Sequence, residues 1–173
     1  SVICYDGVLK KIAKNLGGSF AFIFLSVHEV LILNGHPAFE EIYDIGKAKA
    51  IGISNFEPKH IRPILEMCKH VPMVNQIRFH IGERQEETVE FCAKHNILIT
   101  AYSPLATGRI LTKKEIVEMA KKYNVTTAQL CIRYCLQKDT VVIPKSTKKE
   151  RIISNANVDF IIDDEDMKVL DRL

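Results

Sequence analysis

The sequence of 173 residues predicts an α/β fold in which about five parallel strands are surrounded by helices. Apolar runs of strand length alternate with amphipathic segments of helix length along the chain, and this alternation is typical of β-α-β units. The strand segments are apolar throughout, as expected for strands that helices cover on both faces of a parallel sheet. With 47% hydrophobic and 26% charged residues, the chain has enough apolar material for a single domain over residues 1–173.

The individual elements follow from apolar periodicity and from the positions of glycine and proline. Pro37 is placed near the first turn of a helix, and Asn96 is placed at a left-handed helix end. For the first half of the chain, the predicted elements are a helix at 8–16, a strand at 20–27, a helix at 37–45, a strand at 48–53, a helix at 57–69 and a strand at 72–74.

Three threonines in the second half are each followed three residues later by Glu or Gln, which predicts capping boxes at helix N-termini. The pairs are Thr112 with Glu115, Thr126 with Gln129, and Thr147 with Glu150. The predicted elements of this half are a helix at 84–95, a strand at 97–101, helices at 113–123 and 127–137, a strand at 141–143, and helices at 148–156 and 164–172.

Four of the predicted strands are each followed by a pair of polar residues, directly in three cases and after Pro144 in the strand at 141–143. Because the carboxyl ends of parallel strands share one edge of a sheet, the pairs are predicted to form a polar rim, where ligands bind in such folds. Amide side chains match the donors and acceptors of a planar heteroaromatic carboxamide, and a tyrosine face stacks on its ring. A single pair also fits a helix cap or a turn. The four pairs are Ser54-Asn55, Asn75-Gln76, Tyr102-Ser103 and Lys145-Ser146.

The segment 141–151 combines a predicted buried strand at 141–143 with a basic helix start. A helix N-terminus carries partial positive charge and normally attracts acidic residues. Here four cations crowd it, against the single carboxylate of Glu150. A bound anion, held by free N–H groups, hydroxyls and cations, explains this arrangement, and a solvated basic turn is the open alternative. The cations are Lys145, Lys148, Lys149 and Arg151.

Composition and spacing argue against several other classes of protein. The formal net charge of +3 is too small to indicate a nucleic-acid partner. The most apolar stretch, 20–33, is too short to span a bilayer and contains His28 and Glu29, so no membrane partner is expected. Five cysteines without a C-x-x-C pair predict small buried thiols and a cytoplasmic protein, and no His/Cys set has the spacing of metal ligands.

Four segments carry a family resemblance: G-K-A-K-A-I-G-I-S-N-F, V-N-Q-I-R-F-H, I-T-A-Y-S-P-L and V-I-P-K-S-T-K-K-E-R. In order and in spacing, they resemble the second half of an aldo-keto reductase, with residues 37–173 well matched and residues 1–36 poorly matched. The resemblance implies an incomplete (β/α)8 barrel of the TIM type, and it predicts a chain that is truncated at its N-terminus, because such a barrel needs eight strands.

The same resemblance implies that NADPH or NADP+ is the cofactor and assigns its contacts. The implied contacts are Ser54, Asn55 and Gln76 with the nicotinamide carboxamide, Tyr102 with the nicotinamide ring, Ser103 and Leu105 along the pyrophosphate, Lys145, Ser146 and Arg151 with the 2′-phosphate, and Asn155 with the adenine. The phosphate assignment agrees with the anion inferred from charge, and it favours NADPH over NADH because only NADPH carries that group.

In that family, an aldehyde or ketone is reduced by hydride transfer without a metal, and an Asp, Tyr and Lys set supplies the proton. These three residues are not found at matching positions here, and Tyr5 lacks the Asp that should precede it. His28, at the end of the run F-A-F-I-F-L-S-V-H, is the remaining catalytic candidate, with a loop or core histidine as its alternative.

The sequence therefore predicts an NADPH-dependent oxidoreductase that acts on a small carbonyl substrate. One alternative is a barrel fragment that binds NADP without catalysis. Another is a fragment that self-associates through open barrel edges, because unpaired strand edges and exposed apolar surface favour association.

Overall fold

The structure, a computed structural model, describes residues 23–26 and 32–173. These residues form two compact units. Unit 1 takes in the described residues up to Ile77 together with Glu86–Leu98, and unit 2 takes in Arg78–Gln85 and Ile99–Leu173. The predicted helix at 8–16 lies outside the described residues.

The elements of the first half alternate between strands and helices, as predicted. They are β1 (Ile23–Ser26), α1 (Ile32–Asp44), β2 (Ile51–Ser54), α2 (Pro58–Met67), β3 (Val74–Arg78) and α3 (Glu86–Lys94). In unit 1, β1 pairs with β2 and β2 pairs with β3, all in parallel. This register sets Ser54 beside Gln76, and it sets Gln76 and Asn75 on opposite faces because side chains alternate along a strand.

The buried apolar layer of unit 1 includes alternate residues of β2 and one face of α2. Ile51 and Ile53 are two residues apart, and Ile61 and Ile64 are three apart, as the strand and helix periods require. All four side chains are at most 1% exposed. Full burial of one such side chain contributes about 1.5–3 kcal/mol, so this layer fixes β2 and the polar residues at its end.

After β4, the second half contains four helices and one strand. Its elements are β4 (Leu98–Tyr102), a 3-10 turn (Ala106–Gly108), α4 (Lys114–Lys122), α5 (Thr127–Gln137), β5 (Val141–Ile143), α6 (Lys149–Ala156) and α7 (Asp164–Leu170). In unit 2, β4 and β5 pair in parallel, with Ala101 opposite Val142. None of the helices described is long and apolar enough to cross a membrane.

Helix α5 supplies much of the core of unit 2. Leu130, Cys131, Tyr134 and Cys135 recur at helical spacing, and each is 0% exposed. Burial raises the pKa of the Cys131 thiol to about 12, and it also raises the pKa of Cys135. These two cysteines are therefore buried neutral thiols, as the sequence predicts.

The capping box predicted at Thr126 is confirmed. The N–H of Gln129 donates to Thr126 Oγ1 at 3.2 Å, and the N–H of Thr126 donates to Gln129 Oε1 at 2.9 Å. Helix α5 consequently spans the predicted range 127–137. The left-handed conformation predicted for Asn96 is also confirmed, with φ 57°.

The capping boxes predicted at Thr112 and Thr147 are wrong. Helices α4 and α6 have Lys113 and Lys148 as their N-cap residues, and neither has a side-chain cap. Before α6, Ser146 Oγ accepts a hydrogen bond from the N–H of Lys148 at 3.2 Å. That local bond orders the turn so that the helix begins one residue later than Thr147 would require.

The prediction for Pro37 is wrong as well. Helix α1 begins at Ile32, so Pro37 lies inside the helix and not near its first turn. A proline has no N–H to donate to the fourth preceding carbonyl, so it removes one bond of the helix ladder there. The sequence rule places proline in a first turn, and this helix departs from the rule.

Two strand predictions also need correction. Asn75 and Gln76 lie inside β3 and do not follow it. Val141 and Ile143 are 43% and 42% exposed, so β5 is not a buried strand. Among the strands described, β5 pairs with β4 alone, and a strand that is paired on one side leaves its other edge open to solvent.

Candidate functional site

The end of β2 and the middle of β3 form a hydrogen-bonded polar group in unit 1. The Ser54 hydroxyl donates to the backbone carbonyl of Gln76 at 3.0 Å, and the N–H of Asn55 donates to the same carbonyl at 2.9 Å. The side-chain N–H of Asn55 lies 3.4 Å from Ser54 Oγ. Asn55 has a φ of 60°, which asparagine tolerates better than most residues. The structure therefore brings Ser54, Asn55 and Gln76 together.

Asn75, the neighbour of Gln76, has a structural role. Its side chain is fully buried, donates to the Phe56 carbonyl at 2.8 Å and accepts from the Phe56 N–H at 3.4 Å. These two bonds hold the backbone just after β2. Of the predicted pair Asn75-Gln76, only Gln76 keeps its side-chain amide without a hydrogen bond to the described residues.

Tyr102 is the last residue of β4 and is half-buried. The guanidinium carbon of Arg78 lies 5.9 Å from the centroid of its ring, within the range of a cation–π interaction. This contact occupies part of one ring face, and the Tyr102 hydroxyl makes no hydrogen bond to the described residues.

The loop after β4 is held in an unusual backbone conformation. Ser103, Ala106 and Thr107 have φ values of 52°, 46° and 57°, and Gly108 has a φ of 93°. A left-handed conformation costs a residue other than glycine about 1–2 kcal/mol, so three such residues within five positions represent stored strain. Strain of this kind clusters at ligand sites and must be supported by the surrounding structure.

This loop and the start of the β5–α6 turn enclose a cleft of about 380 Å³ within unit 2. Four of the residues that the resemblance assigns to the cofactor line it, although they come from two separate sequence motifs. They are Ser103, Leu105, Lys145 and Arg151. The other lining residues are Pro104, Thr107, Gly108, Leu111, Ile143 and Pro144.

The charge of the cleft favours an anion. Lys145 and Arg151 line it, and no acidic residue does. Within the described residues, neither cation forms an ion pair. Helix α6 also begins at Lys149 without a side-chain cap from its N-cap residue Lys148, so its first N–H groups keep their capacity to donate.

Two predicted contacts lie outside the lining of the cleft. Ser146 uses its hydroxyl within its own turn, where it accepts from the N–H of Lys148. Asn155 is half-buried on α6, four residues after Arg151 and therefore on the same helix face. Their assignment to the phosphate and to the adenine stays a prediction.

Sequence reasoning missed Thr107, Gly108 and Leu111 as lining residues. The tripeptide Ala106-Thr107-Gly108 contains the glycine that a left-handed turn requires, and that signal could have placed a tight turn beside Ser103. The Thr107 hydroxyl donates to the carbonyl of Ala106 at 2.6 Å, so it supports the turn.

His28, the predicted catalytic candidate, lies outside the described residues. No group of three or more His, Cys, Asp and Glu side chains in the described part of the chain could hold a metal ion. Burial raises the pKa of Cys92, which is also fully buried.

A sequence model of the Aldo/keto reductase family matches residues 10–173. The chain belongs to the aldo/keto reductase family. This aldo/keto reductase chain is 46% identical over 140 residues to 9,11-endoperoxide prostaglandin H2 reductase of Trypanosoma cruzi. It is 41% identical over 137 residues to glyoxal reductase of Bacillus subtilis. Each alignment covers 79% of this chain and 50% of the relative, so the chain spans about half the length of the curated relatives it matches.

Solved aldo-keto reductase structures confirm the predicted fold class. The crystal structure of MGS-M4, an aldo-keto reductase enzyme from a Medee basin deep-sea metagenome library, superposes with a TM-score of 0.89 at 35% identity, over 95% of this chain and 63% of that one. A crystal structure of an aldo-keto reductase complexed with NADPH gives a TM-score of 0.82 at 27% identity, over 89% of this chain and 54% of that one. The parallel strands and helices described above thus correspond to part of an aldo-keto reductase barrel.

Proposed function

We propose that this chain is part of an NADPH-dependent oxidoreductase that reduces an aldehyde or ketone, and that unit 2 binds a phosphate group of NADPH or NADP+. The observation that carries the proposal is the cleft in unit 2, where Ser103, Leu105, Lys145 and Arg151 meet. Family membership supports it, since the relatives compared above are named as reductases and one solved relative is a complex with NADPH.

The residues present suit the 2′-phosphate that distinguishes NADPH from NADH. Lys145 supplies a point charge and Arg151 supplies a planar fork of donors, which are the two common partners of a phosphate. Since no carboxylate lines the cleft, nothing there repels the anion. Ser146 and Asn155 complete the proposed set from positions next to these cations.

The polar group of unit 1 suits a carboxamide. The Gln76 side chain offers a donor and an acceptor that no described residue uses, and Asn55 and Ser54 lie beside it. We assign these three residues to the nicotinamide carboxamide and Tyr102 to the nicotinamide ring. Stacking on Tyr102 requires the ring face that Arg78 leaves open, or a shift of the Arg78 side chain.

When bound, NADPH supplies the hydride that reduces the carbonyl carbon. The task of the residues named above is to bind and orient the cofactor, while an acid near the carbonyl oxygen must supply the proton. His28 stays the candidate for that role. Since we expect the chain to lack the Asp, Tyr and Lys set that supplies the proton in the family, we also expect binding without appreciable turnover from the chain of 173 residues.

Titration of the 173-residue chain with NADPH, followed by nicotinamide fluorescence, tests the proposal. We expect a saturable change for NADPH and a much weaker one for NADH. Absence of saturation with NADPH would contradict the binding proposal. Turnover is tested separately by adding a small aldehyde and following the loss of NADPH absorbance.

A second candidate function, self-association, is favoured by the exposed side chains of Val141 and Ile143 on β5. An open edge with apolar side chains is a template for pairing with another chain. Sedimentation velocity of the wild-type chain and of Val141→Lys tests it. A dimer that dissociates in the variant supports this candidate, and a wild-type monomer at all concentrations contradicts it.

A further inference from the structure

One face of helix α5 carries three long polar side chains spaced four residues apart. They are Gln129, Arg133 and Gln137, and we call them the polar ladder. Residues four apart lie on the same face of a helix, one turn above the other. The opposite side of α5 is buried in the core of unit 2, so the ladder is held on a rigid support.

The polar ladder binds the backbone of residues 154–162, which we call the strap. Gln129 Nε2 donates to the carbonyls of Ser154 at 3.0 Å and Asn157 at 2.8 Å. Arg133 donates to the carbonyl of Val158 at 3.4 Å. The strap therefore contains the last turn of α6 and the segment that leads to α7.

The end of the ladder repeats this arrangement at Ile162. Gln137 Nε2 donates to the Ile162 carbonyl at 2.9 Å, and the Ile162 N–H donates to Gln137 Oε1 at 2.8 Å. The contacts of the ladder with the strap are thus all to backbone atoms. Such bonds fix the position of the strap without depending on its side chains.

Helix α6 needs this support because it has no buried side chain of its own. Most short helices are held by packing of an apolar face, and α6 instead exposes Ile152 and Ile153 at 55% and 63%. The two bonds from Gln129 go to carbonyls at the C-terminal end of α6, and the Ser154 carbonyl also accepts from the N–H of Asn157 at 3.1 Å. Gln129 is itself only 7% exposed, so its amide lies in a shielded environment.

The capping box at the start of α5 orients this amide. Gln129 Oε1 accepts from the N–H of Thr126 at 2.9 Å and from its hydroxyl at 3.0 Å. With the oxygen fixed by Thr126, both N–H groups of the amide face α6. All four hydrogen-bonding positions of the side chain are then used, and a single orientation satisfies them.

We infer that Gln129 is a positioning residue for the phosphate site: by holding the C-terminal end of α6, it directs Arg151 into the cleft. This inference rests on the proposed function, because Arg151 is the assigned phosphate contact. Gln129 does not line the cleft, and its effect is exerted through α6.

The test uses Gln129→Glu, which keeps an acceptor for Thr126 but replaces the two donated N–H bonds with repulsion between oxygens. Gln137→Glu is the matched control, because it makes the same chemical change on the same helix but contacts Ile162 and not α6. Hydrogen exchange of peptides from α6 and fluorescence titrations with NADPH and NADH are measured on the full chain. Thr126→Val serves as a milder variant that loosens the amide without adding a buried charge, should Gln129→Glu not fold.

In Gln129→Glu, we expect faster exchange in α6 and a ratio of NADPH to NADH affinity that falls by roughly tenfold, the scale of two lost hydrogen bonds. Thr126→Val should shift both quantities in the same direction by less, and Gln137→Glu should leave both as in the wild type. A merely structural role would lower both affinities together and leave their ratio unchanged, and that result would overturn the inference. Unchanged exchange in α6 would overturn it too. Failure of the proposed function gives a different result, namely no saturable NADPH binding to the wild-type chain.

Discussion

The hydroxyl of Tyr123 donates a hydrogen bond to the carboxylate of Asp166 and accepts one from the N–H of Asp163 at 2.8 Å. Tyr123 is the C-cap residue of α4, and Asp163 is the N-cap residue of α7. Lys122 adds an ion pair to Asp166 at 2.5 Å. A single hydroxyl therefore joins the end of one helix to the start of another, and α7 is anchored within unit 2.

Tyr123→Phe should lower the free energy of unfolding by about 1.5–3 kcal/mol, the scale of a hydrogen bond to a charged group. The ring stays, so the loss reports the hydroxyl alone. Chemical denaturation measures it. Tyr43→Phe is the control, since the Tyr43 hydroxyl makes no hydrogen bond to the described residues, and it should change the free energy by less than about 0.5 kcal/mol. Equal losses in the two variants would contradict the anchor.

The hydrogen-bonded group of Lys122, Tyr123 and Asp166 also predicts that the stability of the protein depends on acidic pH. Hydrogen bonds from Lys122 and Tyr123 lower the pKa of Asp166 from its ordinary value of 3.8. A carboxylate whose pKa is lower in the folded state contributes stability above its unfolded pKa, and that contribution is lost as the pH falls through the folded value. The free energy of unfolding should therefore decrease as the pH is lowered below 3.8.

Asp166→Asn should be less stable at neutral pH but lose less stability in acid, as urea denaturation across that pH range would measure. Asp164→Asn, at an exposed carboxylate of the same helix, should retain the wild-type slope. Some acid sensitivity will remain in Asp166→Asn because of Asp171. Burial alone would raise the pKa of Asp171, but bonds from Lys138 and Tyr134 outweigh it and the pKa is lowered. A slope identical to that of the wild type would show that Asp166 does not titrate as argued.

The sequence predicted correctly those features that depend on residues close together along the chain. The Thr126 and Gln129 capping box gave the N-terminus of α5, because its two bonds join residues three apart. The strand at 141–143 was also placed correctly, since Val and Ile favour extended backbone. Its burial was predicted wrongly, because the exposure of Val141 depends on which parts of the chain pack against the strand, and no local pattern contains that information.

Two features of the site depend on contacts between distant residues. The second role of Gln129, which binds the end of α6, arises from the approach of residues 25 and 28 positions away along the chain. The difference between Asn75 and Gln76 arises from strand alternation, which faces one amide to Phe56 and leaves the other without a described partner. Both amides are equivalent in a sequence motif, and only the strand register separates them.

Substitution of these neighbouring amides should separate stability from binding. Asn75→Ala leaves the N–H and carbonyl of Phe56 without their buried partner and should lower the free energy of unfolding by about 1–3 kcal/mol. Gln76→Ala should change that free energy by less than about 0.5 kcal/mol, yet weaken NADPH binding if Gln76 holds the carboxamide. Denaturation and fluorescence titration on both variants make the comparison. A Gln76→Ala protein with wild-type affinity would remove Gln76 from the proposed contacts.

Arg151→Ala should weaken NADPH binding by about 1.5–3 kcal/mol, the scale of a hydrogen bond between charged groups, and should hardly change NADH binding. The physical reason is that Arg151 lines the cleft without a carboxylate partner among the described residues, so its charge is available to the 2′-phosphate. Lys149→Ala is the matched control, because it removes a cation from the same helix at a position outside the lining of the cleft. The wild type and the two variants are titrated with NADPH and NADH. All titrations use one ionic strength, because salt screens the attraction of exposed charges. If Lys149→Ala weakened NADPH binding as much as Arg151→Ala, the effect would come from the net charge of α6, and the assignment of Arg151 to the phosphate would be wrong.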